Sequence, residues 1–206
     1  LEQEPETGIV LGCCGAPADW SGRERLYEET VAALKERLSA LGAPEVVCAC
    51  PTCFKQLQAA GIPAVSLYPL LAEGPLPAGE RQPRPVAVQD SCAARDEQAV
   101  QAAVRAILAR CGYFVQEIAM SGEKTKCCGY GGLVFYGDRE VAGEMIRRRA
   151  GESPLPYVSY CSVCRDYLVR AGKPGVHVLD VFFSMDAEER WTRPGANLSE
   201  KEENRL

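Results

Sequence analysis

Five cysteines in the second half of the chain constrain its fold more than any other feature. Cys92 comes first, the adjacent pair Cys127 and Cys128 opens the sequence CCGYGG, and Cys161 and Cys164 form a CxxC motif. Thirty-four residues separate the first cysteine from the pair, and 32 separate the pair from the CxxC. Thiols so far apart meet only if the fold brings three loops together. Because cysteine thiolates are soft ligands, the pattern predicts a metal site that is assembled by the fold.

Two of these motifs also occur earlier in the chain, which indicates an internal repeat. Cys13 and Cys14 form a second adjacent pair, and Cys50 and Cys53 form a second CxxC. The pair and the CxxC have 35 residues between them in the first copy and 32 in the second. The first copy has no counterpart of Cys92. We therefore expect either that this copy is truncated and the chain is part of a longer polypeptide, or that this copy is degenerate.

Apolar periodicity predicts strands and helices that alternate along both copies. Strands are expected at residues 8–12, 45–48, 64–71 (or a strand-to-helix turn), 85–90, 113–118, 157–160 and 176–183. Helices are expected at residues 23–41, 51–60, 94–110 and 138–150, and a short helix is expected to follow the CxxC at 161–164 and end at residue 171. In the helix at 138–150, Val141, Met145 and Ile146 are expected to point inward. Such alternation predicts parallel sheets with right-handed crossovers, and sites in such sheets form at the carboxyl ends of the strands.

The predicted architecture is an α/β fold of two pseudo-repeated halves with parallel sheets and metal sites at the strand carboxyl ends. The first half covers residues 8–72, and a linker rich in Pro and Gly covers residues 73–84. The second, complete half covers residues 85–185, and residues 186–206 form a polar tail. The linker is the best internal boundary because proline and glycine interrupt regular structure.

Composition limits the function further. The chain has 206 residues, a net charge of −5 and eleven cysteines. An odd cysteine count, a regular α/β pattern and the lack of a signal peptide favour reduced thiols in the cytoplasm over disulfides. No basic stretch is typical of nucleic-acid binding, and no apolar run reaches the roughly 20 residues of a membrane span. His177, the only histidine, is expected in a strand, and Cys48 and Cys111 are expected in the core.

The cysteine pattern leaves three chemistries open. A CxxC at a helix start places its sulfurs near free backbone N–H groups, which stabilises thiolates and anionic clusters. A single zinc ion takes four ligands and leaves a fifth cysteine over. A thioredoxin-type dithiol needs one CxxC and no adjacent pair. The residues therefore favour an iron–sulfur cluster, with zinc binding and thiol–disulfide chemistry as alternatives.

The order C…CCG…CxxC resembles the signature of the CCG cysteine-rich domain, and the resemblance covers roughly residues 8–185. This domain occurs, usually twice, in one of the subunits of heterodisulfide reductase. It also occurs in the iron–sulfur subunits of glycolate oxidase, anaerobic glycerol-3-phosphate dehydrogenase and lactate-utilisation systems. In heterodisulfide reductase each complete motif holds a noncubane four-iron four-sulfur cluster.

This resemblance implies a set of ligands. The five ligands of one noncubane cluster would be Cys92, Cys127, Cys128, Cys161 and Cys164. A site that holds a second cluster or a zinc ion, or that stays empty, would be formed by Cys13, Cys14, Cys50 and Cys53. The incomplete first copy leaves a full second noncubane cluster unsupported.

The resemblance also implies a function. It points to an iron–sulfur redox protein or subunit that transfers electrons and reduces a disulfide, as part of an oxidoreductase. The electron donor would be a flavin or ferredoxin-like module on another subunit or domain, because no GxGxxG or P-loop occurs here. The alternative is a zinc-binding structural or docking module without catalysis.

Overall fold

Two parallel β-sheets organise residues 7–195, the part of the chain that the computed structural model describes. The smaller sheet pairs β1 with β2 in parallel, and it belongs to the first third of the chain. The elements in this region are α1 (Ala16–Trp20), α2 (Glu24–Ala40), β1 (Val46–Cys48), α3 (Pro51–Ala59), β2 (Ala64–Ser66) and α4 (Leu67–Glu73). The helices expected at 23–41 and 51–60 are thus confirmed within one residue at each end.

The larger sheet has four parallel strands in the order β4-β3-β5-β6. Its elements are β3 (Pro85–Gln89), α5 (Gln98–Arg110), β4 (Phe114–Val115), α6 (Val134–Gly137), α7 (Arg139–Gly151), β5 (Tyr157–Ser159), α8 (Ser162–Arg170), β6 (Gly175–His177), α9 (Val178–Phe182) and α10 (Glu188–Thr192). Short 3₁₀ turns lie at Cys92–Ala94 and Gly122–Lys124. The predicted α/β class with parallel sheets is confirmed.

The two central strands of the larger sheet, β3 and β5, are buried on both faces, as apolar runs in parallel sheets usually are. Val86 and Val88 of β3 face a core that includes α5. Ala87, between them, faces a second core that contains Cys128 and Cys164. Alternation along one strand therefore separates a purely structural core from the core beneath the cysteines.

The α4 helix joins the two parts of the molecule. Tyr68 of α4 is fully buried within the core of the larger sheet. The strand that precedes α4, β2, belongs to the smaller sheet. The Tyr68 ring meets the Tyr160 ring edge-on, with centroids 5.5 Å apart. An aromatic pair in this geometry adds to the apolar burial and fixes the orientation of both rings.

The prediction of a strand at residues 8–12 is wrong. These residues form no regular structure, and Leu11 is 80% exposed. An apolar run folds as a buried strand only when a neighbouring strand covers it, and within residues 7–195 the smaller sheet consists of β1 and β2 alone. Cys13 and Cys14 therefore follow an irregular segment and not a strand.

Two further expectations about apolar residues are wrong. The run at 176–183 is a strand only as far as His177, and the chain then turns directly into α9. A short apolar run can be buried either as a strand or as a helix, so its sequence pattern does not distinguish the two. In α7, Val141 is 49% exposed, whereas Ala142 and Ile146 are buried, because the buried face is rotated by one residue.

The segment expected to be a polar tail, residues 186–206, begins inside the fold. Trp191 of α10 is fully buried, and its indole N–H donates to the carbonyl of Asp186 at 3.0 Å. The guanidinium of Arg84 lies 4.8 Å from the centre of the Trp191 ring. Residues 196–206 lie outside the described part of the chain. No helix between residues 7 and 195 has both the length and the hydropathy that a transmembrane span requires.

Candidate metal centre

Both CxxC motifs lie where a strand turns into a helix. Cys50 is the N-cap of α3 and Cys161 is the N-cap of α8, and both have extended backbones. The strands β1 and β5 end two residues earlier, as the sequence predicts. Cys53 and Cys164 lie in the first helical turn, beside backbone N–H groups that have no partner within the helix. This position favours thiolate over thiol.

The two adjacent cysteine pairs have the same local turn geometry. The Cys13 sulfur accepts a hydrogen bond from the N–H of Gly15 at 3.4 Å, and the Cys127 sulfur accepts one from Gly129 at 3.3 Å. Gly15 and Gly129 have φ values of 85° and 95°. At Gly129 a Cβ atom would lie 2.7 Å from the carbonyl oxygen of Ala142. Glycine is therefore required there both by φ and by the close approach of the loop to α7.

The structure brings the five cysteines of the second copy into one continuous group, which we call the second thiol group. Hydrogen-bond contacts link Cys92 with Cys127, Cys127 with Cys128, Cys128 with Cys164, and Cys164 with Cys161. Three separate loops supply these side chains, since the members stand before α5, before α6 and at the start of α8.

Protons are distributed unevenly along the second thiol group. Hydrogen bonds from Cys128 and Cys92 hold the pKa of Cys127 well below its ordinary value. A hydrogen bond from Cys164 likewise lowers the pKa of Cys161. The donors retain their protons, and hydrogen bonding to Cys127 raises the pKa of Cys128 to about 12. The metal-free group thus combines thiolates with thiols, and metal binding must release the remaining protons.

The first thiol group, Cys13, Cys14, Cys50 and Cys53, is brought together in part. Cys53 shares its single proton between Cys14 and Cys50, and this hydrogen bonding lowers the pKa of each acceptor to about 6. Cys13 is exposed, as are the residues before it. Cys48 and Cys111 are buried within hydrophobic core clusters, which confirms their expected place in the core.

The two thiol groups are close enough to affect each other electrostatically. The charge of the Cys50 thiolate raises the pKa of Cys161, although hydrogen bonding to Cys164 has the larger, opposite effect. Burial raises the pKa of Tyr68, and the thiolates of Cys161 and Cys50 raise it further. Tyr68 therefore lies between the two CxxC motifs.

Asp90 lies beneath the second thiol group and was missed at the sequence level. Its fully buried carboxylate accepts hydrogen bonds from both terminal nitrogens of Arg105, at 3.0 and 2.9 Å. It also accepts from the Tyr160 hydroxyl at 3.1 Å and the Gly122 N–H at 2.7 Å, and its backbone carbonyl accepts from Thr125. The sequence does contain a signal for Asp90, since this carboxylate comes directly after an apolar strand and two residues before a motif cysteine.

Arg149 provides a second buried anchor for the loop that carries Cys127. Its guanidinium donates to the side chain of Gln89, to the Met120 carbonyl at 2.7 Å and to the Thr125 hydroxyl at 3.3 Å. An ion pair of 2.8 Å with Glu152 balances its charge. Arg149 is 1% exposed, and a buried guanidinium needs such a full set of acceptors.

The donor set fits a thiolate-ligated metal group by its chemistry. Among residues 7–195, no three or more His, Cys, Asp or Glu side chains are arranged to hold a single metal ion. The sulfurs instead contact one another directly, so they must move apart to admit a metal. None of the eleven cysteines forms a disulfide, and sulfur is the ligand that zinc and iron–sulfur clusters prefer.

The comparisons with known proteins agree with this donor set. The family model described as the CCG cysteine-rich domain matches residues 8–58 and 86–165, which together make up more than half of the chain. Both thiol groups lie entirely within the matched residues. No curated protein matches the chain. Membership of this family is consistent with a metal-binding role. The chain belongs to the CCG cysteine-rich domain family.

Proposed function

We propose that this protein is an iron–sulfur redox protein or subunit, whose cluster is held by the second thiol group. The ligands are Cys92, Cys127, Cys128, Cys161 and Cys164. The observation that carries the proposal is the unbroken series of contacts among these five thiols, which come from three loops. A closed zinc site uses four ligands and leaves one of the five over. A four-iron four-sulfur cluster of the noncubane type uses them all.

The protein around the second thiol group supplies charge stabilisation and shielding. The cluster supplies one-electron oxidation and reduction when bound. The Gly129 N–H already donates to the Cys127 sulfur, and the N-terminus of α8 favours negative charge at Cys161. Cys128 and Cys164 are buried in an apolar core. Hydrogen bonds to sulfur and exclusion of water are the means by which proteins adjust cluster potentials.

The aromatic residues beside the CCGYGG loop complete this shield. Tyr130 stacks on Phe135 with ring centroids 5.0 Å apart, and both rings meet Tyr167 edge-on at 5.7 Å. Tyr167 belongs to the core that contains Cys128 and Cys164, and Tyr130 and Phe135 pack against this core. We infer that they limit access of water and oxygen to the cluster from this side.

The reaction we propose is the reduction of a disulfide, as in heterodisulfide reductase. Cleavage of one disulfide consumes two electrons and two protons and yields two thiols. The electrons come from a flavin or ferredoxin-like module on another subunit or domain. The eleven free thiols suit a reducing compartment, and we place the protein in the cytoplasm.

We also propose that residues 8–72 and 85–185 are two copies of one unit joined by residues 73–84. Helices α3 and α8, which follow the two CxxC motifs, are each nine residues long. The strands β2 and β6 each have three residues and continue directly into a helix. The shared turn at Cys13 and Cys127 supports the same relationship.

A zinc-binding structural module is the second candidate, and the first thiol group favours it. This group has four cysteines, which is the number that a closed structural zinc site uses. Three of them are already in contact through Cys53. Zinc or a second cluster at this position is compatible with electron transfer at the second thiol group.

Anaerobic purification tests the proposal directly. We expect brown protein with iron and acid-labile sulfide near four per second thiol group after reconstitution. Cys161→Ser should abolish the optical and paramagnetic signals of the cluster, whereas Cys111→Ser should preserve them because Cys111 lies in the structural core. Colourless protein that binds zinc and takes up no iron after anaerobic reconstitution would instead establish the structural module.

A further inference from the structure

The Tyr68 hydroxyl lies between the two CxxC turns. Its oxygen is 2.6 Å from the carbonyl oxygen of Ala49 and 3.0 Å from that of Tyr160. These two residues directly precede Cys50 and Cys161, which are the N-caps of α3 and α8. One side chain therefore contacts the same backbone position in both motifs.

The position of this hydroxyl is determined by packing. Tyr68 is fully buried, and its ring meets the Tyr160 ring edge-on at 5.5 Å. A tyrosine hydroxyl has one proton to donate, so the two carbonyls share a single donor. Any movement of one turn therefore changes the hydrogen bond that is left for the other.

We propose that Tyr68 is a positioning residue that couples metal binding at the two thiol groups. Metal at one group orders its CxxC turn, and the shared Tyr68 hydroxyl favours the same order in the other turn. Such coupling is reciprocal, because each site must change the affinity of the other by the same factor. The inference rests on the proposed function only in that both thiol groups bind metal.

The experiment uses Cd²⁺ as a thiolate-binding probe on the full, metal-free chain. Protection of Cys127 from alkylation, read by mass spectrometry of its peptide against free Cd²⁺, gives the affinity of the second thiol group. Four chains are compared: wild type, Cys50→Ser with Cys53→Ser, Tyr68→Phe, and the combination of all three changes. Coupling is the ratio of the two affinities measured with an intact and with a disabled first group.

We expect a coupling ratio of about fivefold or more with tyrosine at position 68 and below about twofold with phenylalanine. Tyr157→Phe is the matched control, because Tyr157 is equally buried and its hydroxyl also donates to a backbone carbonyl, that of Arg149 at 2.9 Å. This control, made with and without the Cys50→Ser and Cys53→Ser changes, should lower stability without changing the ratio.

Three results would overturn the proposal. They are a ratio that is the same with tyrosine and phenylalanine, an equal loss of coupling in Tyr157→Phe, and no protection of Cys127 by Cd²⁺ in the wild type. Because the probe is Cd²⁺, a protein that takes up no iron but retains the Tyr68-dependent ratio would refute the redox function and leave the coupling intact.

Discussion

The Tyr160 hydroxyl donates to the Asp90 carboxylate at 3.1 Å and thereby ties the end of β5 to the end of β3. Cys161 follows Tyr160 directly, and Cys92 stands two residues after Asp90. Two of the three cysteine loops are therefore anchored to one buried carboxylate. The third loop is also anchored to Asp90, because the Thr125 hydroxyl donates to the backbone carbonyl of Asp90 at 3.0 Å. The second thiol group thus rests on a polar network that is formed without metal.

Asp90→Asn should destabilise the protein by about 2–3 kcal/mol, because hydrogen bonds to a buried charged group are costly to lose. The asparagine would also turn an amide N–H₂ toward one of its present donors, Arg105, Tyr160 or Gly122. Urea unfolding monitored by circular dichroism measures the change. Iron retention after reconstitution should fall in parallel, because the three loops lose their common anchor.

Glu144→Gln is the control for this charge removal. Glu144 pairs with Arg148 at 2.6 Å on the exposed face of α7, where solvent screens the interaction. Its unfolding midpoint should match that of the wild type. Equal unfolding curves for Asp90→Asn and Glu144→Gln would show that the Asp90 network does not stabilise the fold.

Gly129→Ala should destabilise the CCGYGG loop by about 1–3 kcal/mol, since its φ of 95° is strained for any residue with a Cβ atom. The added Cβ would also lie 2.7 Å from the Ala142 carbonyl oxygen. Gly131→Ala is the matched control, because a Cβ there meets no atom within 4 Å. Thermal unfolding of the two variants should differ clearly, and similar losses in both would refute the steric argument.

Alkylation of Cys50 in the metal-free protein should depend on pH in a defined way. Hydrogen bonding to Cys53 lowers the pKa of Cys50 from 9.0 to about 6, and the thiolate is the reactive form. The rate should rise as pH increases through about 6 and level off above that value. In denaturant, where the hydrogen bond is lost, the rise should move toward pH 9.0.

Cys48 is the internal comparison for this measurement. It lies two residues before Cys50, but burial raises its pKa to about 11, so it should stay unreactive across the same range. Iodoacetamide labelling followed by peptide mass spectrometry distinguishes the two cysteines. A Cys50 rate that still increases between pH 8 and 9 in the folded protein would contradict the hydrogen-bonded thiolate.

Trp191→Ala should cost about 3–5 kcal/mol of stability, as expected for a large side chain removed from a packed core. Trp191 is fully buried and stacks on Tyr113, with ring centroids 6.3 Å apart. Trp20→Ala is the control, because Trp20 is 40% exposed and should change stability by less than about 1 kcal/mol. Equal effects would mean that α10 is not part of the folded core.

Local patterns in the sequence were sufficient for much of the fold. Helix α2 was predicted because apolar residues recur at helical spacing and Gly42 follows the last turn. The positions of Cys50 and Cys161 at helix starts were also predicted, because strand, turn and helix signals are all local there. Residues 8–12 were predicted wrongly, since the pattern of a strand does not show whether a neighbouring strand covers it.

Buried polar contacts could not be predicted from local patterns in the sequence. Four partners of Asp90, namely Arg105, Gly122, Thr125 and Tyr160, lie 15 to 70 residues away in the chain. Trp191 was assigned to a polar tail because its neighbours in sequence are charged. Its environment is provided by Arg84 and Tyr113, which no local pattern connects to it.

The order of amino acids already specifies which residues carry the chemistry, because the cysteine motifs, their glycines and their helix starts are all written within short segments. Folding alone establishes which thiols meet, which of them are thiolates, and that Tyr68 lies between the two CxxC turns. The difference lies in how far apart in the sequence the interacting residues are. A turn or a helix is determined by neighbours in the chain, whereas a hydrogen bond between distant loops exists only after strands have paired and side chains have packed.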